Sequence, residues 1–193
     1  MLNFYIKSFD GNYFSGPIPR FGSTRLRELY LGQNALTGSI PEHIGDHVNL
    51  EIFSVNANKM NSTIPSSLTN VNALEILDLS HNKFSGEIPP GLSDLVQMRE
   101  FRMDHNRLRG FPTWLGGMNR LKIVHLNNNL FDGNLNLPLD IGDLDDLQEF
   151  AIENNDLQGV VQEYMCDLLL DVLTSDCYGS PPRVDCPCCT ECF

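Results

Sequence analysis

Basic residues are scarce in this chain, and long apolar runs are missing. Its 193 residues contain 13 Lys and Arg against 25 Asp and Glu, a formal net charge of −12. Nucleic-acid binding depends on neutralising phosphates with basic side chains, so this balance argues against nucleic acid and against an anionic membrane surface. Without a run of about 18 apolar residues, the sequence predicts no transmembrane segment. Any membrane attachment would have to come from a segment outside this chain.

Cysteines are absent from residues 1–165 and concentrated in the tail, 166–193. This asymmetry predicts a separate cysteine-rich C-terminal cap. Six cysteines allow 15 pairings into three disulfides, and the sequence does not choose among them. The even count favours disulfides, although the spacing from Cys186 to Cys192 also fits a zinc site. The cysteines assigned to disulfides are Cys166, Cys177, Cys186, Cys188, Cys189 and Cys192.

Residues 1–165 contain a phrase that recurs seven times, about every 24 residues. The cleanest copy begins at Leu74 and ends in Gly86-Glu87-Ile88-Pro89. A fixed period of this length predicts a solenoid in which each copy packs only on its neighbours. Aligned on a shared asparagine, the repeats start near Phe4, Leu26, Leu50, Leu74, Met98, Leu121 and Leu147.

Each column of the repeat has a physical explanation. In the fourth copy, Leu77 and Leu79 point inward from one short strand because side chains alternate along a strand. The asparagine column is expected to bond to main-chain groups at the turn after each strand, forming a buried ladder. The ladder residues are Asn34, Asn58, Asn82, Asn106, Asn129 and Asn155.

The repeated phrase with its Gly-x-Ile-Pro ending resembles the plant-type leucine-rich repeat family. The tail resembles the cysteine-rich ends of certain algal members. The resemblance implies an α/β solenoid: a right-handed horseshoe with short parallel strands on the concave face and coil or 3₁₀ turns on the convex face. It also implies a receptor-like recognition role outside the cell or at its surface. The sequon Asn61-Ser62-Thr63 agrees with secretion as a glycosylation site, with a chance triplet as the alternative.

The N-terminal end of the predicted solenoid has no evident cap. Lys7 stands where the second inward leucine belongs, and Met1–Asp10 does not have the form of a secretory signal. We therefore expect this chain to be the C-terminal portion of a longer protein. The alternative is a small protein whose first residues form an improvised cap.

Outward positions on the strands form the predicted ligand-binding surface. Arg102 is the strongest anchor because its planar guanidinium binds carboxylates in two-point fashion. The alternative is that Asp78 neutralises Arg102 across neighbouring rungs. His81 and His105 should also be rung neighbours; a metal or pH-sensing role is possible in principle, but we assign no metal site. The predicted contact residues are Tyr30, Asp78, His81, Arg102, Asp104, His105, His125 and Asn127.

The sequence thus predicts a non-catalytic recognition module that binds a protein, peptide or glycan through the concave face. No nucleophile, base and orienting group converge in the repeats, so we assign no catalytic residue and no cofactor. An inhibitor that blocks an enzyme's cleft, and a structural component of a cell wall or extracellular matrix, are the alternatives.

Overall fold

The computed structural model describes residues 5–22, 25–135, 137–179 and 181–193. Phe4, the predicted start of the first repeat, lies outside them. Short strands and turns alternate along the whole described chain. The strands are β1 Ile6–Ser8, β2 Ser15–Gly16, β3 Glu28–Tyr30, β4 Ala35–Gly38, β5 Ile52–Ser54, β6 Lys59–Ser62, β7 Ile76–Asp78, β8 Lys83–Glu87, β9 Glu100–Arg102, β10 Arg107–Arg109, β11 Ile123–His125, β12 Asp132–Asn134, β13 Glu149–Ala151, β14 Asp156–Val160, β15 Val172–Ser175, β16 Val184–Asp185 and β17 Glu191–Cys192.

The described strands pair in parallel and form stacked sheets. The largest sheet has nine strands, in the order β1-β3-β5-β7-β9-β11-β13-β15-β17, and lines the concave face. A second sheet runs β10-β8-β6-β4-β2, and a third runs β12-β14-β16. Each repeat therefore contributes one strand to the concave face and a second strand to the side of the solenoid. This is the predicted right-handed horseshoe.

Short 3₁₀ helices form the convex side of the solenoid. Most begin directly after a proline, as at Pro41 and Pro65, where the chain is still extended. Proline suits this place because its fixed φ and missing N–H are tolerated before the first helical bond forms. The 3₁₀ helices are Glu42–Asp46, Ser66–Asn70, Pro90–Asp94, Leu115–Gly117 and Leu139–Asp143, and α1, Glu163–Cys166, leads into the tail.

The core runs along the inside of the solenoid as one continuous column of side chains. The middle residue of each concave strand from β3 to β13 points inward, and Leu77, Phe101 and Phe150 are 0% exposed. Register places these residues directly above one another, since Leu77 pairs with Phe101 and Phe101 with Val124. Because the inward positions are buried, the outward positions of the same strands are held in rows on the concave face.

The tail continues the sheets of the repeats. The repeats by themselves predict seven concave strands, whereas the described chain has nine, because β15 and β17 both lie within 166–193. β15 pairs with β13, and β16 pairs with β14 at the side. None of the described helices is long and apolar enough to cross a bilayer.

Candidate functional site on the concave face

The predicted asparagine column forms a regular hydrogen-bonded ladder behind the concave face. Asn106 Nδ2 donates to the carbonyl oxygens of Met103 and Asp104 in its own turn and of Leu79 in the preceding one, at 3.0 to 3.1 Å. Its Oδ1 accepts the N–H of Phe84 at 2.9 Å. The same pattern recurs at Asn58, Asn82 and Asn129. The ladder fixes the turn that follows each concave strand.

An ion-pair network crosses three neighbouring concave strands. Arg102 Nε lies 3.1 Å from Glu100 Oε2, and its Nη1 lies 3.3 Å from His125 Nδ1. His125 Nε2 in turn lies 2.8 Å from Glu149 Oε2. Arginine has only donors, so His125 accepts at Nδ1 and donates from Nε2 to Glu149. Arg102 and His125 are half-buried, so both are held in place while still reaching the surface.

Asp78 does not pair with Arg102, although register makes the two residues direct neighbours. Instead, Asp78 Oδ1 accepts hydrogen bonds from the Ser80 N–H at 3.1 Å and the Ser80 hydroxyl at 2.6 Å. Burial raises the pKa of Asp78, and the negative charge of Asp104 adds to that rise, while the bonds from Ser80 and the positive charge of Arg102 oppose it. Glu100, on Arg102's own strand, forms the ion pair with Arg102 that the alternative assigned to Asp78.

Asp104 is less accessible than the sequence suggested. The residue is only 8% exposed, so it is not a freely displayed contact residue. Its Oδ2 lies 2.9 Å from His105 Nδ1 and 3.6 Å from His81 Nε2. The two imidazole rings stack with their centroids 4.0 Å apart. The structure therefore joins three of the predicted contact residues into one cluster.

Tyr30, the last residue of β3, and Asn127, two residues after β11, are half-buried. The Tyr30 hydroxyl donates to Glu28 Oε2 at 3.0 Å. Burial, together with the hydrogen bond to Glu28 and its negative charge, raises the pKa of Tyr30 to about 12. Tyr30 therefore meets any ligand as a neutral phenol.

Sequence analysis missed the residues that start each concave strand. Glu28, Glu100 and Glu149 lie two positions before Tyr30, Arg102 and Ala151, and by the alternation of a strand they share the outward face. The two-residue alternation of side chains along a strand could have identified these glutamates from the sequence. Ile52, Ile76 and Ile123 occupy the same column, half-buried beside the charged groups. The surface therefore combines apolar and charged contacts.

A second missed feature is the backbone just beyond each concave strand. In the second to seventh repeats, one residue takes a left-handed conformation there, with φ between 50° and 55°, which is uncommon for residues other than glycine. Two of them are His81 and His105, whose side chains the bend directs toward the same face. The column consists of Gln33, Ala57, His81, His105, Asn128 and Asn154.

All six cysteines lie within the described residues and are paired, as the disulfide interpretation expects. The pairs are Cys166–Cys188, Cys177–Cys192 and Cys186–Cys189, with Cα atoms 4.9 to 5.5 Å apart. Asn61, the predicted glycosylation site, is exposed on β6. The tail is thus crosslinked within itself and lies away from the contact residues of the central repeats.

Comparison with known proteins places this architecture in a family. Family models described as leucine rich repeats match residues 25–47 and 48–108. The ectodomain of the receptor kinase SOBIR1 from Arabidopsis thaliana is 31% identical, with a TM-score of 0.59 over 64% of this chain and 67% of that one. The chain belongs to the leucine-rich repeat family. No curated protein sequence matches it.

Longer leucine-rich repeat ectodomains are also similar in structure. That of the plant membrane receptor kinase GASSHO1/SCHENGEN3 from Arabidopsis thaliana, in complex with CASPARIAN STRIP INTEGRITY FACTOR 2, is 31% identical with a TM-score of 0.80, covering 85% of this chain and 20% of that chain. The plant peptide hormone receptor RGFR1, in complex with RGF2, is 29% identical with a TM-score of 0.80, covering 88% of this chain and 27% of that chain. This leucine-rich repeat chain therefore spans about a fifth to a quarter of their length.

Proposed function

We propose that this leucine-rich repeat chain is a non-catalytic recognition module that binds an extended peptide segment of another protein across its concave face. The observation that supports this most directly is the network of Glu100, Arg102, His125 and Glu149 beside the isoleucine column. The network holds a guanidinium at the surface in a fixed orientation. Such a group can bind a ligand carboxylate without first losing much side-chain entropy.

The dimensions of the surface suit a peptide. Neighbouring rungs are about 4.8 Å apart, so the three strands of the network span roughly 10 Å. An extended peptide places side chains on one side about every 6.6 Å, so about two of them face these strands. Ile76 and Ile123 flank the charged Glu100 in register, which allows one apolar and one charged contact at adjacent peptide positions.

The similar structures support a protein or peptide ligand in preference to other classes. RGFR1 is a peptide hormone receptor in complex with RGF2, and GASSHO1/SCHENGEN3 is in complex with CASPARIAN STRIP INTEGRITY FACTOR 2. Those chains are several times longer than this one, so the ligand of this chain has to be found by experiment. The net charge of −12 agrees with a partner other than nucleic acid.

The side-chain partners on the concave face support a role without catalysis. His81 and His105 face the Asp104 carboxylate, and His125 contacts Arg102 and Glu149. None of these contacts activates a hydroxyl or thiol nucleophile, which acyl-transfer chemistry would require. We therefore propose binding, and not turnover, as the function of this surface.

The crosslinked tail supports the proposal that the chain works outside the cell or at its surface. Disulfides persist in oxidising compartments and are rare in the cytosol.

We propose further that residues 166–193 act as a C-terminal cap on the solenoid formed by 1–165. We also propose that Asn61 carries an N-linked glycan. Treatment of the secreted protein with a glycosidase should then lower its mass, and Asn61→Gln should abolish that change.

A peptide-display selection against the immobilised chain tests the proposed function. We expect enriched peptides to carry a carboxylate and to lose at least tenfold in affinity for Arg102→Ala. Arg120→Ala is the matched control, because Arg120 is an exposed arginine on the convex side whose Nη1 donates to Gln97 Oε1 in the preceding turn, at 2.7 Å. Selected peptides that bind both variants equally would show that the concave network is not the binding site.

A further inference from the structure

The cluster of His81, Asp104 and His105 has the composition and geometry of a metal site. One imidazole nitrogen from each of His81 and His105 and one carboxylate oxygen of Asp104 lie within 4.8 Å of one another. The Asp104 Oδ2 atom is 2.9 Å from His105 Nδ1 and 3.6 Å from His81 Nε2. All three potential ligand atoms therefore converge on one small volume at the surface.

The two separations from Asp104 Oδ2 are close to the ligand spacing that a tetrahedral ion requires. Zinc–nitrogen and zinc–oxygen bonds of about 2.0–2.2 Å place neighbouring ligand atoms about 3.4 Å apart. The two measured separations from Asp104 lie on either side of that value. Two imidazoles and one carboxylate are a ligand set that suits Zn²⁺, whereas Ca²⁺ and Mg²⁺ prefer six or more oxygens.

The local charge also favours a bound cation. Asp104 is 8% exposed, and its contacts are the two imidazoles, with no lysine or arginine ion pair among the described residues. Asp78 lies close enough that its negative charge and that of Asp104 repel each other. A divalent ion would offset this concentration of negative charge on the concave face.

The solenoid itself supplies the orientation of the ligands. His81 and His105 occupy the same position in consecutive repeats, and both backbones take the left-handed conformation, with φ of 53°. Their N–H groups donate to the carbonyl oxygens of Asp104 and Asn127 in the next rung, at 3.0 and 3.1 Å. The backbone at both ligands is therefore fixed before any ion arrives.

We propose that His81, Asp104 and His105 bind one Zn²⁺ ion, with a fourth coordination position open toward the concave groove. The side chains of His81 and His105 are 54% and 45% exposed, so an ion can reach both imidazole rings directly from solvent. This site does not depend on the proposed peptide function, because Arg102 and His125 take no part in it.

Calorimetric titration of the intact, oxidised chain with Zn²⁺ in a non-chelating buffer tests the site. We expect saturable binding of one ion per chain, and at least tenfold weaker binding for each of His81→Ala, Asp104→Asn and His105→Ala. His125→Gln is the matched control: His125 is another imidazole beside a carboxylate on the same face, but it has no second histidine. Its zinc affinity should stay within twofold of the parent chain.

Spectroscopy separates a true coordination site from loss of fold. Titration with Co²⁺ should produce the visible absorption of a tetrahedral ion, and this signal should disappear in His81→Ala while the circular dichroism of that variant remains that of the parent. Ca²⁺ and Mg²⁺ should not compete. The proposal is overturned if the parent chain shows no saturable binding, or if binding persists unchanged in folded His81→Ala and His105→Ala variants.

Discussion

The repeats and the tail belong to one continuous sheet but are stabilised in different ways. The repeats contain no cysteine and rely on a column of inward apolar side chains and on the asparagine ladder. The tail has an irregular sequence, yet β15 and β17 continue the same parallel pairing. Three disulfides join segments of the tail that lack the repeated pattern. Crosslinks thus replace periodic packing where the period ends.

The two regions also differ in how they satisfy the backbone at the end of a strand. Within the repeats, the N–H groups of His81 and Asn82 donate to the main-chain carbonyls of Asp104 and His105 in the next turn. In the last repeat, the N–H groups of Asn154 and Asn155 donate instead to the two carboxylate oxygens of Asp176, at 2.9 and 3.1 Å. One side chain therefore takes the place of two backbone carbonyls.

This difference shows what a solenoid needs at its end. Stacked turns satisfy one another, so the last turn would leave donors and strand edges without partners. Arg183 contributes as well, because its Nη1 donates to Asp156 Oδ1 at 2.8 Å and to the carbonyl oxygen of Asn155 at 3.4 Å. Asp176 and Arg183 thus supply hydrogen-bond partners that a further repeat would otherwise supply, although the tail lacks the repeat sequence.

The largest effect is expected from the core of the repeats. Leu126→Ala should lower the free energy of unfolding by about 3–5 kcal/mol, because Leu126 is 0% exposed and a cavity would remain. Leu130, in the same repeat, is 42% exposed, so Leu130→Ala is a matched control that should cost under about 1 kcal/mol. Chemical denaturation measures both. Equal losses would contradict the assignment of inward and outward positions.

The next effect concerns the crosslinks of the tail. Removing Cys166–Cys188 with a double serine variant should cost about 3 kcal/mol, and removing Cys186–Cys189 about 2 kcal/mol, because the first closes the longer loop. The sequence separations are 22 and 3 residues. Hydrogen exchange should accelerate in β15 while β7 keeps its protection. Faster exchange throughout the repeats would show that the two regions are not stabilised separately.

A smaller effect is expected where the tail meets the last repeat. Asp176→Ala leaves the N–H groups of Asn154 and Asn155 without their acceptor, and it should cost about 1–2 kcal/mol. Asp171→Ala, an exposed aspartate in the same tail, should be close to neutral. Amide exchange at Asn155 provides the local readout. An unchanged exchange rate in Asp176→Ala would remove Asp176 from the end of the solenoid.

The smallest effect is a gain within the repeats. Ser62 has a φ of 84° where other repeats have glycine, such as Gly86 at 78°. Ser62→Gly should therefore stabilise the chain by about 0.5 kcal/mol, as the strain relieved exceeds the added freedom of the unfolded chain. Ser85→Gly, at a position without a positive φ, should destabilise it by about 0.5–1 kcal/mol. Thermal unfolding checks both signs.

Much of the fold could be predicted because the same sequence pattern specifies the same local structure in each repeat. Leu77 and Phe101 occupy the same inward position in consecutive repeats, and one rule of alternation places both. Asn82 and Asn106 likewise make the same set of bonds. The residues of the concave face were predicted less completely. The partner of Arg102 and the burial of Asp104 depend on side-chain rotamers that no periodic pattern specifies.

The sequence by itself determined the solenoid, the inward columns and the confinement of cysteine to the tail, because periodicity and composition are properties of the chain. Only the tertiary structure decided which cysteines pair, that Glu100 and not Asp78 forms the ion pair with Arg102, and that His81, Asp104 and His105 meet. Crosslinks, ion pairs and coordination depend on distances of a few ångströms between residues remote in sequence. Those distances exist only once the turns are stacked.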